Sequence, residues 1–363
     1  MKAAVLREFK QALSLENVAI SKPRGREVLV RTAASGICHS DLHVIDGYLP
    51  MGTPTILGHE PAGIVEEVGP EVTEFKPGDH VIGCPSAFCS HCNFCMEGRG
   101  YLCTGQAEMA RRKSEEPRLS IEGEYVRQFS NLSSFAEQML VNANALVKIR
   151  DDMPLDRAAL IGCGVTTGLG AALNTAKVAA GDTVAVIGCG GVGLSVIQGA
   201  RISGANRIIA VDTMPWKLDL ARKMGATDVV NGAETDAVEA VLELTSGGVD
   251  YAFEAIGVKQ TVEQACRMSR RGGAAVIVGV VPAGTKVEFD GLDLVLAQKR
   301  ILGSIMGSNR FRVDMPRYVE FYMSGRLNLD EMISERFKLD EINEAIQKLR
   351  DGKVARGVIN FDQ

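Results

Sequence analysis

The stretch CSHCNFCMEGRGYLC, residues 89–103, holds Cys89, Cys92, Cys95 and Cys103, four of the nine cysteines in the chain. The C-x2-C-x2-C-x7-C spacing suits four thiolates closing a tetrahedral metal site, with no position left for a substrate. A redox dithiol is the competing chemistry, but CxxC redox motifs open a helix in a different fold. Three further pieces carry metal-ligating types: CHSDLH at 38–43, GHE at 58–60 and IGCGVTTG at 161–168. Taken singly, each also has a structural explanation. Cys163 alone reads as a small buried hydrophobe, and His59 beside Glu60 as a turn residue with a satisfied hydrogen bond.

A third pattern, GCGGVG at 188–193, follows the strand-like TVAVI and opens the helix-like VGLSVIQGA. In that context Gly188 makes the tight turn, Gly190 lets the backbone approach a pyrophosphate, and Gly193 lets helix and strand pack closely. The anion rests on the amides at the helix start, Gly191 and Val192 among them. The next strand-like run, RIIAVD, ends in Asp212, placed to accept from both ribose hydroxyls and to repel the extra phosphate of NADP, so NAD is expected. Lys217 is close enough to reach the same ribose.

The elements that must position these groups fall into two textures. Residues 1–150 are dominated by short β-like runs between Gly and Pro turns, such as EVLVRTAAS, AGIVEEVG and DHVIGC. From about 165 to 305 strands alternate with helices, with TVAVIG, RIIAVD, TDVVN, VDYAFEAIG, AAVIVGV and RILGSIM as buried strands of a doubly wound parallel sheet. DEINEAIQKLRDGK in the tail reads as one amphipathic helix, and ARRKSEEP at 110–117 as a solvated surface turn.

At 363 residues the chain should form two domains. Its 46% hydrophobic and 23% charged residues are ordinary globular composition, and a net charge of −5 argues against nucleic acid or an anionic membrane as partner. No run approaches the roughly 20 apolar residues of a membrane span, and MKAAVLREFKQ lacks the apolar stretch of a signal peptide. A cytoplasmic location follows, where clustered thiols mean metal rather than disulfides.

End to end, the chain resembles the zinc-dependent medium-chain alcohol dehydrogenases. MKAAVLRE, GHEPAGIVEEVG, KPGDHV, the four-cysteine loop, GCGVTTG, GCGGVG and KVARGVI occur in that family's order and spacing. The resemblance implies an α/β chain: a GroES-like, β-rich catalytic domain over 1–164 and 306–363, and a Rossmann NAD-binding domain over 165–305. It implies two zinc ions per chain. Cys38, His59 and Cys163 would hold the catalytic one and leave a fourth position open, while the 89–103 loop would hold a structural one. Asp41 matches the acid that orients the ligand imidazole, and Glu60 the nearby carboxylate that approaches the metal during ligand exchange.

Ser40 matches the hydroxyl that accepts the substrate proton and His43 the histidine that relays it outward. His39 stands where the family often has an arginine against the coenzyme pyrophosphate, and Arg356 matches a second such arginine. Thr167 and Val280 would pack on the nicotinamide. Leu49, Phe135 and Ile305 would line an apolar substrate pocket, which points to a medium-sized apolar or aromatic primary alcohol. A secondary alcohol or a broad range also fits.

The glutathione-dependent formaldehyde branch shares these motifs but places an acid at the position of Leu49 and an arginine soon after the last structural cysteine. Ala107 occupies that second place, unless a loop shift brings in Arg111 or Arg112. The polyol branch usually lacks the full cysteine loop or the Cys163 ligand, and the long loop from Cys103 to Phe135 is that of the family's dimers. Non-catalytic alternatives fare worse. A zinc-ribbon module would be basic and lack a nucleotide site, and a silent nucleotide-binding relative or a zinc-free quinone reductase would lack one of Cys38, His59 and Cys163.

Overall fold

The computed structural model describes residues 1–361 except Pro50 and Lys113. The chain divides into two compact units, Met1–Cys163 with Arg310–Gly325 and Ile333–Gln363, and Gly164–Asn309 with Arg326–Met332. Residues 164, 306–309 and 326–332, expected with the first unit, group with the second. The reason at 328 is a buried amide: Gln198 donates to the Asn328 carbonyl at 3.0 Å and accepts from its N–H at 2.7 Å. A buried carboxamide left without those partners would cost about 1–3 kcal/mol.

The first unit is built on a seven-stranded mixed sheet. Its centre is Glu27–Ile37, EVLVRTAASGI, whose β-branched residues suit a strand covered on both faces. Glu60–Val68 lies antiparallel on one side and Arg356–Asn360 antiparallel on the other, so Gly36 sits between Glu60 and Val358. Immediately after this strand, Cys38 starts the short helix His39–Ile45. The chain thus turns from sheet to helix at a cysteine.

A helix over Leu155–Ala176 is apolar enough, by length and composition, to cross a membrane, contrary to the expectation of no such run. Four-fifths of that window is buried inside the fold, which is how a core helix passes the same test. It is not uniform: Ile161–Val165 and Ala171–Ala176 are widened π turns, and Cys163 lies in the first of them. Such turns are frequent at functional sites.

The second unit holds a six-stranded, all-parallel sheet in the order Asp228–Asn231, Arg207–Asp212, Thr183–Ile187, Val249–Glu254, Ser269–Ile277, Arg300–Gly303. Numbered along the chain this is 3-2-1-4-5-6, the doubly wound order that puts its crevice between the first and fourth strands. The expected amphipathic helix of the tail is Ile342–Arg350, burying Ile342, Ala345, Ile346 and Leu349 at helical spacing.

Candidate functional site

Asp41 is the hub of the buried cluster in the first unit. It is fully buried, its Oδ2 accepts from the Cys38 N–H at 3.1 Å, and its Oδ1 accepts from the Gly58 N–H at 3.1 Å. The same Oδ1 lies 3.1 Å from His59 Nδ1. One carboxylate therefore fixes the helix start that carries Cys38 and the turn that carries His59. With Nδ1 engaged, the imidazole presents Nε2, which is buried without a hydrogen-bond partner among the described residues. The edge of Phe129 closes on the ring, centroids 5.1 Å apart.

Ligand atoms of Cys38, His59, Glu60 and Cys163 lie within 4.8 Å of one another, all four residues buried. Zinc bonds of 2.0–2.3 Å place tetrahedral donors about 3.5–3.8 Å apart, so the donor set and its orphaned imidazole nitrogen fit a zinc ion. Electrostatics agree. Hydrogen bonding from Cys163, against the opposing effect of burial and aided by His59, holds the Cys38 thiol well below its ordinary value. Burial alone would lower His59, but Asp41 and then Cys38 outweigh it and hold it at about 10. The centre of the cluster favours positive charge.

Glu60 is ion-paired with Arg356, both side chains almost wholly buried. Arg356, expected at a coenzyme pyrophosphate, is placed here beside Glu60. A Cβ on Gly36 would collide with the Glu60 carboxylate and reach 3.0 Å from Arg356 Nη2, so the pair exists only because residue 36 is glycine. Gly162 similarly admits Glu60 beside the turn that carries Cys163. Ser40 Oγ is 3.9 Å from Cys38 Sγ, and the half-buried His43 follows one turn later on the same helix face. His39 is exposed at the helix start. Leu49 is half-buried against a core cluster in which Phe135 is fully buried.

In the loop at 89–103 the sulfurs of Cys89 and Cys95 are 3.9 Å apart, Cys92 and Cys95 3.5 Å, and Cys92 and Cys103 3.9 Å. These are edges of a thiolate tetrahedron, far beyond the roughly 2.05 Å of a disulfide. Backbone N–H groups of Cys89, Cys92 and Gly105 donate to the sulfurs. A Cβ on Gly105 would come to 2.7 Å from Cys89 Sγ, so glycine closes the lobe. Burial, then the neighbouring thiols, push Cys95 above its ordinary value, and the four cannot ionise together without a cation among them.

The charged segment after this lobe differs from the solvated turn expected of ARRKSEEP. The Arg111 side chain is turned inward and donates to Glu27, to Ser21 Oγ and to the carbonyls of Lys22 and Glu116, with no donor left for a ligand. Arg118 joins it on Glu27. Lys113 of that segment lies outside the described residues.

In the second unit Gly188 has φ +95°, and a Cβ on Gly193 would collide with the Gly188 carbonyl, as the tight turn requires. A Cβ on Gly190 would meet open space, the approach a pyrophosphate needs. Asp212 accepts from the N–H groups of Cys189, Thr213 and Met214, which uses three of about four acceptor positions and pins the glycine turn. The Lys217 ammonium lies over the Trp216 ring. Thr167 is buried with its Oγ1 3.6 Å from Met306 Sδ, while Val280 and Ile305 are half exposed.

Sequence reasoning missed Gly36, Phe129 and the Glu60–Arg356 pairing. Only Gly36 left a signal, a glycine inside a strand two residues before a ligand-type cysteine.

Residues 24–151 match the family model described as alcohol dehydrogenase GroES-like domain, and residues 191–323 the one described as zinc-binding dehydrogenase. An alcohol dehydrogenase class-3 of Drosophila melanogaster is 40% identical over 99% of this chain and 97% of its own length. An S-(hydroxymethyl)glutathione dehydrogenase of Photobacterium damsela subsp. piscicida is also 40% identical, over 99% of this chain and 100% of its own. Among solved structures, a benzyl alcohol dehydrogenase from Acinetobacter calcoaceticus superposes with TM-score 0.92 at 36% identity, 99% of each chain covered. An alcohol dehydrogenase zinc-binding domain protein from Burkholderia ambifaria gives TM-score 0.95 at 37% identity, covering 100% of this chain and 99% of that one. Both zinc clusters, the NAD turn and these likenesses agree: the chain belongs to the zinc-dependent medium-chain alcohol dehydrogenases.

Proposed function

We propose that this enzyme oxidises a medium-sized apolar or aromatic primary alcohol with NAD+, reversibly. The observation that carries the reading is the surround of Leu49. Leu49 is packed, with Met51, on the apolar core cluster that contains Phe135, which suits an apolar substrate. Arg111 is committed to Glu27 and cannot supply the arginine that the glutathione-dependent branch uses. The likeness to a benzyl alcohol dehydrogenase supports the same reading. S-(hydroxymethyl)glutathione is the second reading, favoured by the names of several relatives at 38–40% identity.

In this reading Cys38, His59 and Cys163 would hold the catalytic zinc, which would supply a Lewis acid for the alcohol oxygen, and NAD would supply the hydride acceptor. Asp41 holds the His59 ring by Nδ1 so that Nε2 faces the metal position. Ser40 takes the hydroxyl proton, and His43 on the same helix face passes it toward solvent. Arg356 neutralises Glu60 and keeps that carboxylate from competing permanently for the metal. Asp212, by its charge, selects NAD over NADP.

The homodimer reading has support in the second unit. Strand Arg300–Gly303 ends its sheet, and Ile301, Phe289, Leu292, Val295 and Leu296 nearby are exposed. An apolar sheet edge of this kind is suited to a second copy. A cytoplasmic location would keep the thiols of both clusters reduced for metal.

The test is initial rates of NAD+ reduction with benzylic and aliphatic alcohols, beside NADP+, a chelator control, and glutathione with formaldehyde. Benzylic or longer aliphatic alcohols should turn over with NAD+ and stop on chelation. Turnover of the glutathione mixture alone would move the enzyme to the other branch.

A further inference from the structure

We infer that Thr175 is a positioning residue for Ile305, acting through a strained turn at Ile305–Ser308 in the second unit. Met306, Gly307 and Ser308 follow one another in the left-handed region, at φ +48°, +65° and +48°. Glycine takes that conformation freely, whereas methionine and serine meet a steric penalty there. Non-glycine backbone of this kind persists only where its surroundings over-determine it, and it clusters at functional sites.

The fixing groups come from the π turn Ala171–Ala176, which carries Thr175. Thr175 Oγ1 is 2.8 Å from Ser304 Oγ and 2.8 Å from Ser308 Oγ, so one hydroxyl bridges the two residues that enclose 305–307. A hydroxyl has one donor and two acceptor positions, enough for both bonds. Asn174 beside it donates to the Gly307 carbonyl at 3.3 Å, and Asn309 donates to the Met306 carbonyl at 2.7 Å. A Cβ on Gly170 would come to 2.4 Å from the Gly307 carbonyl, and one on Gly307 to 2.5 Å from the Thr166 carbonyl. Two glycines thus let the turn settle on the helix, while hydroxyls and amides hold it there. Met306 rests its sulfur on Thr167, and Ile305 is left 53% exposed. A single exposed isoleucine is ordinary in itself. This one is placed by a backbone that costs free energy to keep, and Thr175 is the group that spans that backbone.

This rests on the reading that the substrate is an apolar alcohol and that Ile305 lines its pocket. The experiment is steady-state kinetics of the zinc-loaded enzyme at saturating NAD+, with benzyl alcohol and with ethanol, for wild type, Thr175→Val and Thr175→Ser. Thr175→Val keeps the bulk and removes the bridge. It should lower kcat/KM for benzyl alcohol about tenfold, chiefly through a higher KM, because contact with Ile305 contributes to binding rather than to the chemical step. Ethanol depends less on that contact and should stay within about twofold. Thr175→Ser keeps the hydroxyl and should stay within about twofold of wild type for both alcohols. Unchanged benzyl alcohol kinetics in Thr175→Val, or equal losses for the two alcohols, overturns the inference. Should Thr175→Val fail to fold, Ser304→Ala decides: a higher KM for benzyl alcohol alone supports the inference, and no change overturns it. Failure of the wild type to oxidise either alcohol would instead remove the reading of the substrate, and this inference with it.

Discussion

The two cysteine clusters use the same ligand chemistry in opposite settings. The loop at 89–103 draws four sulfurs from one short stretch, half exposed, and steadies them with backbone N–H groups. The cluster of Cys38, His59, Glu60 and Cys163 gathers mixed donors from a helix start, a turn, a strand and a π turn, all buried. Behind the second stand two charged partners, Asp41 under His59 and Arg356 beside Glu60. Behind the first, Glu108 pairs with the exposed His91 of the loop, and Glu27 anchors the departing chain through Arg111 and Arg118. A closed set of like donors serves shape. An open set with tuned neighbours serves reaction.

Four changes would break or sharpen this contrast, ordered by their expected effect on turnover. Cys163→Ser should lower kcat/KM by at least roughly a thousandfold, because several kcal/mol of Lewis-acid stabilisation leave with the metal. Metal analysis should then find one zinc per chain rather than two. Asp41→Asn keeps the shape but loses the charge behind His59, and should cost about 10–100-fold in zinc affinity or activity, read by competition with a chelator. Cys95→Ala should also leave one zinc but spare most of the turnover per remaining catalytic zinc, while the melting temperature falls by about 5–10 °C. Equal loss of turnover in Cys95→Ala and Cys163→Ser would erase the distinction.

The fourth concerns acid stability and leaves turnover at neutral pH nearly untouched. Burial alone would raise the Glu27 carboxyl, but Arg111 and then Arg118 outweigh it and hold it below its ordinary value. A depressed folded value means that the stabilisation is complete above the unfolded value near about 4.3 and is lost as pH falls through the lower folded value. Glu27→Gln should remove that part of the acid limb of a stability-versus-pH curve followed by circular dichroism. The two guanidinium groups would keep their bonds to hydroxyl, amide and carbonyl oxygens but lose their buried counter-charge, at a cost of about 3–5 kcal/mol at neutral pH.

The nucleotide turn was legible in the sequence because its logic is local: a strand, three glycines and a helix follow one another, and Gly188, Gly190 and Gly193 meet the constraints expected of them. The six parallel strands were equally plain, each an apolar run between turns. The donors at 38, 59 and 163 came from likeness to a family rather than from periodicity. What stayed hidden was contact between distant positions. Nothing near Glu60 announces Arg356, and nothing in ARRKSEEP shows that Arg111 turns inward to Glu27. Charge runs look alike whether water or a buried carboxylate receives them. The helix Leu155–Ala176 misled for a related reason, since its length is spread across glycines and π turns.

The compactness of the 89–103 loop also favours an order of assembly. The entropy of closing a loop grows with the logarithm of its length, so thiols within one short segment meet at less cost than donors drawn from positions 38 through 163. The lobe can capture its ion from a chain whose sheets have not yet paired. The other site has no existence until Glu27–Ile37 and Glu60–Val68 are in register and the turn at Cys163 has packed beside Glu60. Uptake of the first ion is therefore expected early in folding, and uptake of the second only at its completion.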